Sequence, residues 1–349
     1  MIKTNWFKAL MVYVVIFFIS SIIYVFPVVY YLRLLGVSVA FNHLVAIIFM
    51  VSLIITLYLR TKVTFKPLKV FVYVGMVLGF YGLFLSIFGI CLQQFIPIEY
   101  LIILLPSVLI VLITYGFYNA TKLVPKFITI QSNKVNKPYS FAFISDVHLG
   151  SQSITHLVKI LDLIKQQESV DALLIGGDLI DSSSFNVDEL SVLKTLSIPI
   201  FFITGNHEFY LKDSANVLSK MNNYNINNID FKDVIHDHIR LIGIGDNAKK
   251  ANKLNFLKTL PVSDLFTVLM VHKPSLWSDI APYCDLMLSG HTHAGQLFPF
   301  QWLVKLQFPF YYGYRMINNL HGYVSSGSGC WGPNVRIGSN NEVVFIKIE

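Results

Sequence analysis

Cysteine, charge and acidic residues are scarce in this 349-residue sequence. Its three cysteines, Cys91, Cys284 and Cys330, stand far apart with no CxxC pair. That is too few for a disulfide framework or a thiolate zinc site, and it fits a reducing compartment. Charged residues make up 13 % against 54 % hydrophobic, roughly half the charged share of an ordinary soluble domain. This excludes intrinsic disorder, which needs the opposite balance, and argues against a purely soluble protein. The shortage of acid is uneven. Residues 1–137 carry 11 Lys and Arg and one acid, Glu99, whereas residues 138–349 carry 16 basic and 19 acidic residues. The first segment is therefore at +10 and the second at −3, so the chain's basic character belongs to the first segment, where apolar runs exclude a nucleic-acid partner. No internal repeat or low-complexity tract is visible.

Four apolar stretches follow one another at about 10–32, 39–59, 70–92 and 100–118, and none contains Asp, Glu, Lys or Arg. Each has the ~20 residues that a helix needs to cross the hydrocarbon core with its backbone paired. The first is too long for a signal-peptide core, so it is expected to remain in place. Asn42 and His43 fall at an interfacial position at the start of the second stretch. Arg60, Lys62, Lys66 and Lys69 follow the second stretch, and Lys122, Lys126, Lys134 and Lys137 follow the fourth; the loop after the third holds Glu99 and no basic residue. Basic loops stay cytoplasmic, so both termini and everything after residue 119 are expected in the cytoplasm, beneath a multi-pass inner membrane anchor. Gly75 and Gly79 form a GxxxG spacing, read as a chance match rather than a dimer face.

Residues 120–138 read as a short basic linker, and residues 139–349 as an α/β domain. Short β-branched runs are expected as strands at 140–145, 172–175, 198–203, 240–244, 266–271, 286–288, 322–325 and 343–348, with helices near 154–168 and 187–196. This predicts sheet covered by helices on both outer faces. The strand runs end in polar clusters: Asp146-Val-His148, Gly-Gly-Asp178-Leu-Ile-Asp181, Gly-Asn206-His207-Glu208, Val-His272 and Gly-His291-Thr-His293. Ligands of α/β sheets gather outside the carboxyl ends of strands, so these clusters converge on one crevice. Carboxylate, amide and imidazole together favour Mn, Fe or Zn over a thiolate-type ion. Two such ions about 3.5–4 Å apart suit in-line phosphoryl displacement. One carboxylate must then bridge, and Asp178 stands alone at its strand end.

In this order, the motifs resemble those of the calcineurin-like metallophosphoesterase superfamily, over about residues 140–349. The stretch Gly-His-Thr-His-Ala-Gly-Gln and the tail Ser-Ser-Gly-Ser-Gly…Arg336-Ile-Gly are most similar to its membrane-associated bacterial branch, in which Gly is commoner at the position of Ala294. The resemblance implies a double β-sandwich flanked by helices behind a four-helix transmembrane region. It implies that Asp146, His148 and His293 hold one metal and Asn206, His272 and His291 the other, with Asp178 bridging. It also implies that His207 contacts the phosphate and protonates the leaving group, with Asp181 orienting it. Manganese is the expected ion, with iron or zinc as alternatives. Ser/Thr protein phosphatases of the superfamily carry Arg directly after the second Asp of Gly-Asp-x-x-Asp. Here that residue is Ser182, which argues against a phosphoprotein substrate.

The expected activity is metal-dependent hydrolysis of a phosphodiester or pyrophosphate bond, in a lipid or lipid precursor. The alternatives are a cyclic-nucleotide phosphodiesterase and an inactive metal-binding membrane scaffold. Gly-Ile-Gly-Asp246 is expected to be a turn, with contact to substrate as the alternative; His156, His236, His238 and His321 are expected on surfaces or caps, and Arg315 and Arg336 to pair at the surface, with a phosphate contact as the alternative. The aromatic segment 297–312, whose prolines discourage a regular helix, reads either as core or as an interfacial flap.

Overall fold

The computed structural model describes residues 2–61 and 66–349; Lys62, in the expected second basic loop, lies outside them. The chain divides into two compact units, Met1–Gly116 and Phe117–Glu349. In the first, α1 (Ile2–Ser20) runs through a π turn into α2 (Phe26–Leu34), followed by α3 (Phe41–Thr61), α4 (Lys66–Leu92) and α5 (Ile98–Thr121). Four segments are long and apolar enough to cross a membrane: Leu10–Leu34, Phe41–Leu59, Pro67–Leu92 and Ile98–Thr121. Several polar side chains among them find partners, as an apolar surrounding favours, although the Tyr13 and Tyr81 hydroxyls are buried without one. Ser20 and Ser52 share a hydrogen bond of 2.6 Å, and the Tyr24 and Tyr31 hydroxyls donate to the Val72 and Ile102 carbonyls. A Cβ on Gly75 or Gly79 would run into Tyr24 or the Ile23 carbonyl. The GxxxG spacing therefore serves helix packing within the chain rather than standing idle.

The second unit holds two six-stranded mixed sheets. Its strands are β1 (Leu123–Ile130), β2 (Tyr139–Ile144), β3 (Ala172–Ile175), β4 (Ile200–Phe202), β5 (Ile226–Asn228), β6 (Lys232–His236), β7 (Ile239–Ile244), β8 (Phe266–Val271), β9 (Leu286–Ser289), β10 (Gly313–Ile317), β11 (Leu320–Val324) and β12 (Asn341–Ile348). The sheet orders are β1-β12-β2-β3-β4-β5 and β10-β11-β9-β8-β7-β6. Period-two alternation sorts each central strand between two cores. Phe141, Phe143, Leu174, Val268, Met270 and Leu288 meet between the sheets. Ala142, Ile144, Leu173 and Ile175 face outward onto Leu157, Ile160 and Ile164 of α6 (Ile154–Lys165). Leu269 and Val271 face the other way, onto a third core with Leu257 of α8 (Lys250–Thr259); α7 (Ser214–Met221) lies between β4 and β5. This is the double β-sandwich with helical flanks.

Three details differ from the sequence expectation. The segment read as a linker is largely strand: β1 pairs in parallel with β12 from Leu123–Asn341 to Ile130–Ile348. The Asn119 side chain donates to the Arg336 and Ser339 carbonyls, so the unit starts before residue 120. Strands β1, β5, β6 and β10, which the periodicity did not predict, are the four sheet edges. Finally, the aromatic segment splits. Phe308 and Phe310 are buried, while Phe298, Phe300, Trp302, Leu303 and Leu306 are exposed on or beside α9 (Gln301–Gln307), a short helix formed despite the flanking prolines.

Candidate metal centre

The carboxyl ends of β2, β3, β4, β8 and β9 deliver Asp146 and His148, Asp178, Asn206 and His207, His272, and His291 and His293 respectively. The chain must turn abruptly there for its side chains to meet. Asp146, His148, Asp178, His291 and His293 all take left-handed backbone angles, with φ between 49° and 71°. Non-glycine residues seldom adopt that region, and its cost is characteristic of functional sites. Gly205 and Gly290 make the approach possible, because a Cβ on either would collide with the Asp178 or Asp146 carboxylate.

Two triads result, Asp146–His148–His293 and Asp178–His272–His291, each with one ligand atom per residue close enough to hold a common metal ion. In the first, His148 Nε2 lies 3.1 Å from His293 Nε2, which lies 3.6 Å from Asp146 Oδ1. In the second, His272 Nε2 lies 3.2 Å from Asp178 Oδ2, and 4.0 Å from Asp146 Oδ1 of the first triad. His272 Nδ1 donates to the Gly176 carbonyl at 2.8 Å, which turns Nε2 toward the carboxylates in the way that ligand imidazoles are oriented. Asn206 Oδ1 is buried without a hydrogen-bond partner. Orphaned buried polar atoms are rare, and this one, beside carboxylates and imidazoles, fits a divalent cation.

The electrostatics agree. Burial drives His148 and His291 down to about 3, and His293 well below its ordinary value with help from His148 and Arg336. All three imidazoles are therefore neutral, the form that binds metals. Burial also opposes a charge on His272, yet Asp178, Asp146 and Asp246 outweigh it and push His272 up to about 10. Burial would raise Asp178 too, but His272, His148 and His207 hold it well below the carboxylate range. Asp146, buried and close to Asp178, rises to about 6. This corner demands positive charge, which a proton or a metal ion can supply.

His207 sits at the rim. Its backbone N–H donates to Asp178 Oδ1 at 2.8 Å, and its Nε2 lies 4.0 Å from Asp178 Oδ2. Burial, with His272 and Lys273, lowers its pKa against the pull of Asp178. Asp181 faces two histidines rather than His207 alone: its carboxylate is 3.6 Å from His148 Nδ1 and clusters with both rings, and it accepts the Ser151 N–H.

Several supporting residues escaped the sequence reading. Glu208 is fully buried and accepts the N–H groups of Asp178, Ile180 and Gly205 at 2.8–3.0 Å, tying together the loops that carry Asp178 and Asn206. Burial and the Asp178 charge push it up to about 8. Its place in Gly-Asn-His-Glu was a usable signal. Glu208→Ala should cost ~1–3 kcal/mol for each donor left unsatisfied. A markedly lower thermal midpoint, with weaker metal retention, is the expected readout. Arg336, expected to pair at the surface, is instead fully buried behind His293. It donates to the carbonyls of His293, Ser326 and Gly329 and to Ser339 Oγ. His156 is likewise buried, with Nε2 2.6 Å from the Ser328 carbonyl. Asp246 is no mere turn residue, for it accepts from both Lys253 and Lys273.

The strand ends of this two-sheet sandwich thus gather Asp and His groups able to hold metal ions. The calcineurin-like phosphoesterase family model matches residues 139–295. An uncharacterized metallophosphoesterase of Campylobacter jejuni is 31 % identical over 69 % of this chain and 68 % of its own. Another, from Helicobacter pylori, is 31 % identical over 63 % of this chain and 62 % of its own. A Bos taurus "transmembrane protein with metallophosphoesterase domain" is 31 % identical over 59 % of this chain and 52 % of its own. The chain belongs to the calcineurin-like phosphoesterase family, and it spans between half and about two thirds of these relatives' length.

Proposed function

We propose that the protein is a membrane-bound, dinuclear-metal hydrolase of a phosphodiester or pyrophosphate bond in a lipid or lipid precursor, working at the cytoplasmic face. The observation that carries this reading is the pair of adjoining His/Asp triads, on a chain that also contains four helices of spanning length. In the proposal, Asp146, His148 and His293 hold one ion and Asn206, His272 and His291 the other, with Asp178 between. When bound, such ions neutralise phosphate oxygens and make water a stronger nucleophile at neutral pH. His207, at the rim, contacts the phosphate and gives a proton to the leaving oxygen, with Asp181 nearby to orient it. Ser182 stands where an arginine clamp would favour phosphoproteins. The exposed Phe298, Phe300, Trp302, Leu303 and Leu306 follow His293 closely in sequence and support contact with lipid, where Trp sits at headgroup depth.

The reading is tested with the full-length protein, loaded with manganese, on a panel of bacterial lipid phosphates beside bis(p-nitrophenyl) phosphate and a cyclic nucleotide. Turnover of lipid substrates is expected to lead, and preference for the cyclic nucleotide would overturn the lipid assignment. His207→Ala is expected to keep both metals and lose roughly 10²–10⁴-fold in rate, the range of general acid catalysis. The loss should shrink when the leaving group is p-nitrophenol. An equal loss for good and poor leaving groups would remove the proton-transfer role.

A further inference from the structure

Beside Asn206 the surface opens into a cleft of about 370 Å³, lined by Asn206, Phe209, Tyr210, Asp246, Asn247 and Lys273. Among its lining residues are Asn206, a proposed metal ligand, and Lys273, which directly follows His272 in the chain. Its charge is unusual. The Asp246 carboxylate is almost fully buried and takes an ammonium on each oxygen, Lys253 on Oδ1 and Lys273 on Oδ2. The two lysines are not equivalent: the Lys253 side chain is 5 % exposed, whereas that of Lys273 is 32 % exposed and reaches the cleft wall.

One carboxylate cannot neutralise two ammonium groups. Lys253 is enclosed and needs a counter-ion, because burying an unpaired charge is costly. Asp246 supplies it, which leaves about one positive charge for the cleft, carried by Lys273. The same carboxylate anchors the Lys273 head, so the ammonium is held in place and loses less freedom on meeting a ligand. The Asn247 side chain adds an amide on this wall. Phe209 and Tyr210, which also line the cleft, are 36 % and 56 % exposed and offer ring surface to an organic group.

We propose that this cleft is a subsite for a second phosphoryl group, next to the one undergoing hydrolysis, so that the preferred substrate is a pyrophosphate diester rather than a simple phosphodiester. This rests on the reading of the triads as a phosphoester-hydrolysing centre and narrows its substrate class. In the reaction, water adds across the P–O–P bridge. Its oxygen bonds to the phosphorus at the triads, the bridging P–O bond breaks, and the electron pair leaves on the second phosphate. Lys273 offsets the charge that develops there, and the water protons end on the two monoester products or in solvent. Asn247 and the aromatic wall hold the group carried by the second phosphate.

The test compares dioctyl pyrophosphate with dioctyl phosphate in detergent micelles, using full-length, manganese-loaded protein and following the monoester products by phosphorus NMR. The wild-type protein should favour the pyrophosphate in kcat/KM by more than about tenfold, to which the better phosphate leaving group contributes as well, so the share that Lys273 supplies is read from its variants. Lys273→Gln should cut that ratio by about tenfold, and Lys273→Arg should restore most of it. A structural role for Lys273 would lower both substrates alike and leave the ratio intact, which overturns the proposal. Whether or not the Gln variant holds its metals, a wild-type ratio below about threefold also overturns it. Failure to hydrolyse either substrate would instead remove the phosphoester-hydrolase reading beneath it.

Discussion

Asp178→Asn is expected to bring phosphoester hydrolysis close to background, a loss of about 10³-fold or more given the several kcal/mol that metal-ion catalysis supplies. The side chain is buried, lies 3.2 Å from His272 Nε2 and accepts the His207 backbone N–H. It is thus the one carboxylate in direct contact with both the second triad and the proposed acid. Asparagine keeps the shape and removes the charge. The His272, His148 and His207 rings, which together hold Asp178 ionised, lose the anion they surround. Metal content by mass spectrometry should fall below two per chain, while the protein still inserts in membranes. Full occupancy with undiminished turnover would refute the bridging role.

The second large effect concerns access to lipid. Removing residues 1–116 should leave a folded catalytic unit, because Asn119 and β1, which are built into its sheet and tail, remain. We expect this form to bind metal and to hydrolyse p-nitrophenyl diesters, but to lose about 10²-fold or more on substrate embedded in vesicles. Tethering to the membrane raises the effective concentration by that order. Trp302, 63 % exposed on α9, is the side chain best suited to the interface. Trp302→Ala in the full-length protein should therefore lower the vesicle reaction more than the micellar or soluble one, by up to about tenfold, the scale of one buried aromatic. A truncated form that processes vesicle lipid as well as the intact chain would contradict the account. So would a C-terminal reporter found outside the cytoplasm.

The central strands were legible because each is buried on both sides and so reads as a short continuous apolar run. Ala172–Ile175 and Phe266–Val271 were read at their observed limits. The edge strands were not. Lys232–His236 and Gly313–Ile317 are short and largely exposed, as sheet edges tend to be, and only their neighbours make them strands. Leu123–Ile130 was masked by its Pro and Lys and by the absence of a break after α5. The same division holds at the site. The proposed ligands carry their chemistry in their type, so Asp146, His148, Asp178, Asn206, His272, His291 and His293 stood out at strand ends, and the family resemblance of the ordered motifs implied their roles. Glu208 and Arg336 act through distant backbone groups, the N–H of Ile180 or the carbonyl of Ser326. Which groups those are depends on the folded chain.

The central claim is that this protein is a phosphoester hydrolase whose activity depends on two metal ions held by these side chains. The most direct measurement strips the full-length protein with a chelator and titrates manganese back, recording bound metal and hydrolysis of bis(p-nitrophenyl) phosphate together. Activity should vanish in the chelator and return in proportion to the filling of a site of two ions per chain. Turnover that persists in the stripped protein, or that is complete with one ion bound, would contradict it.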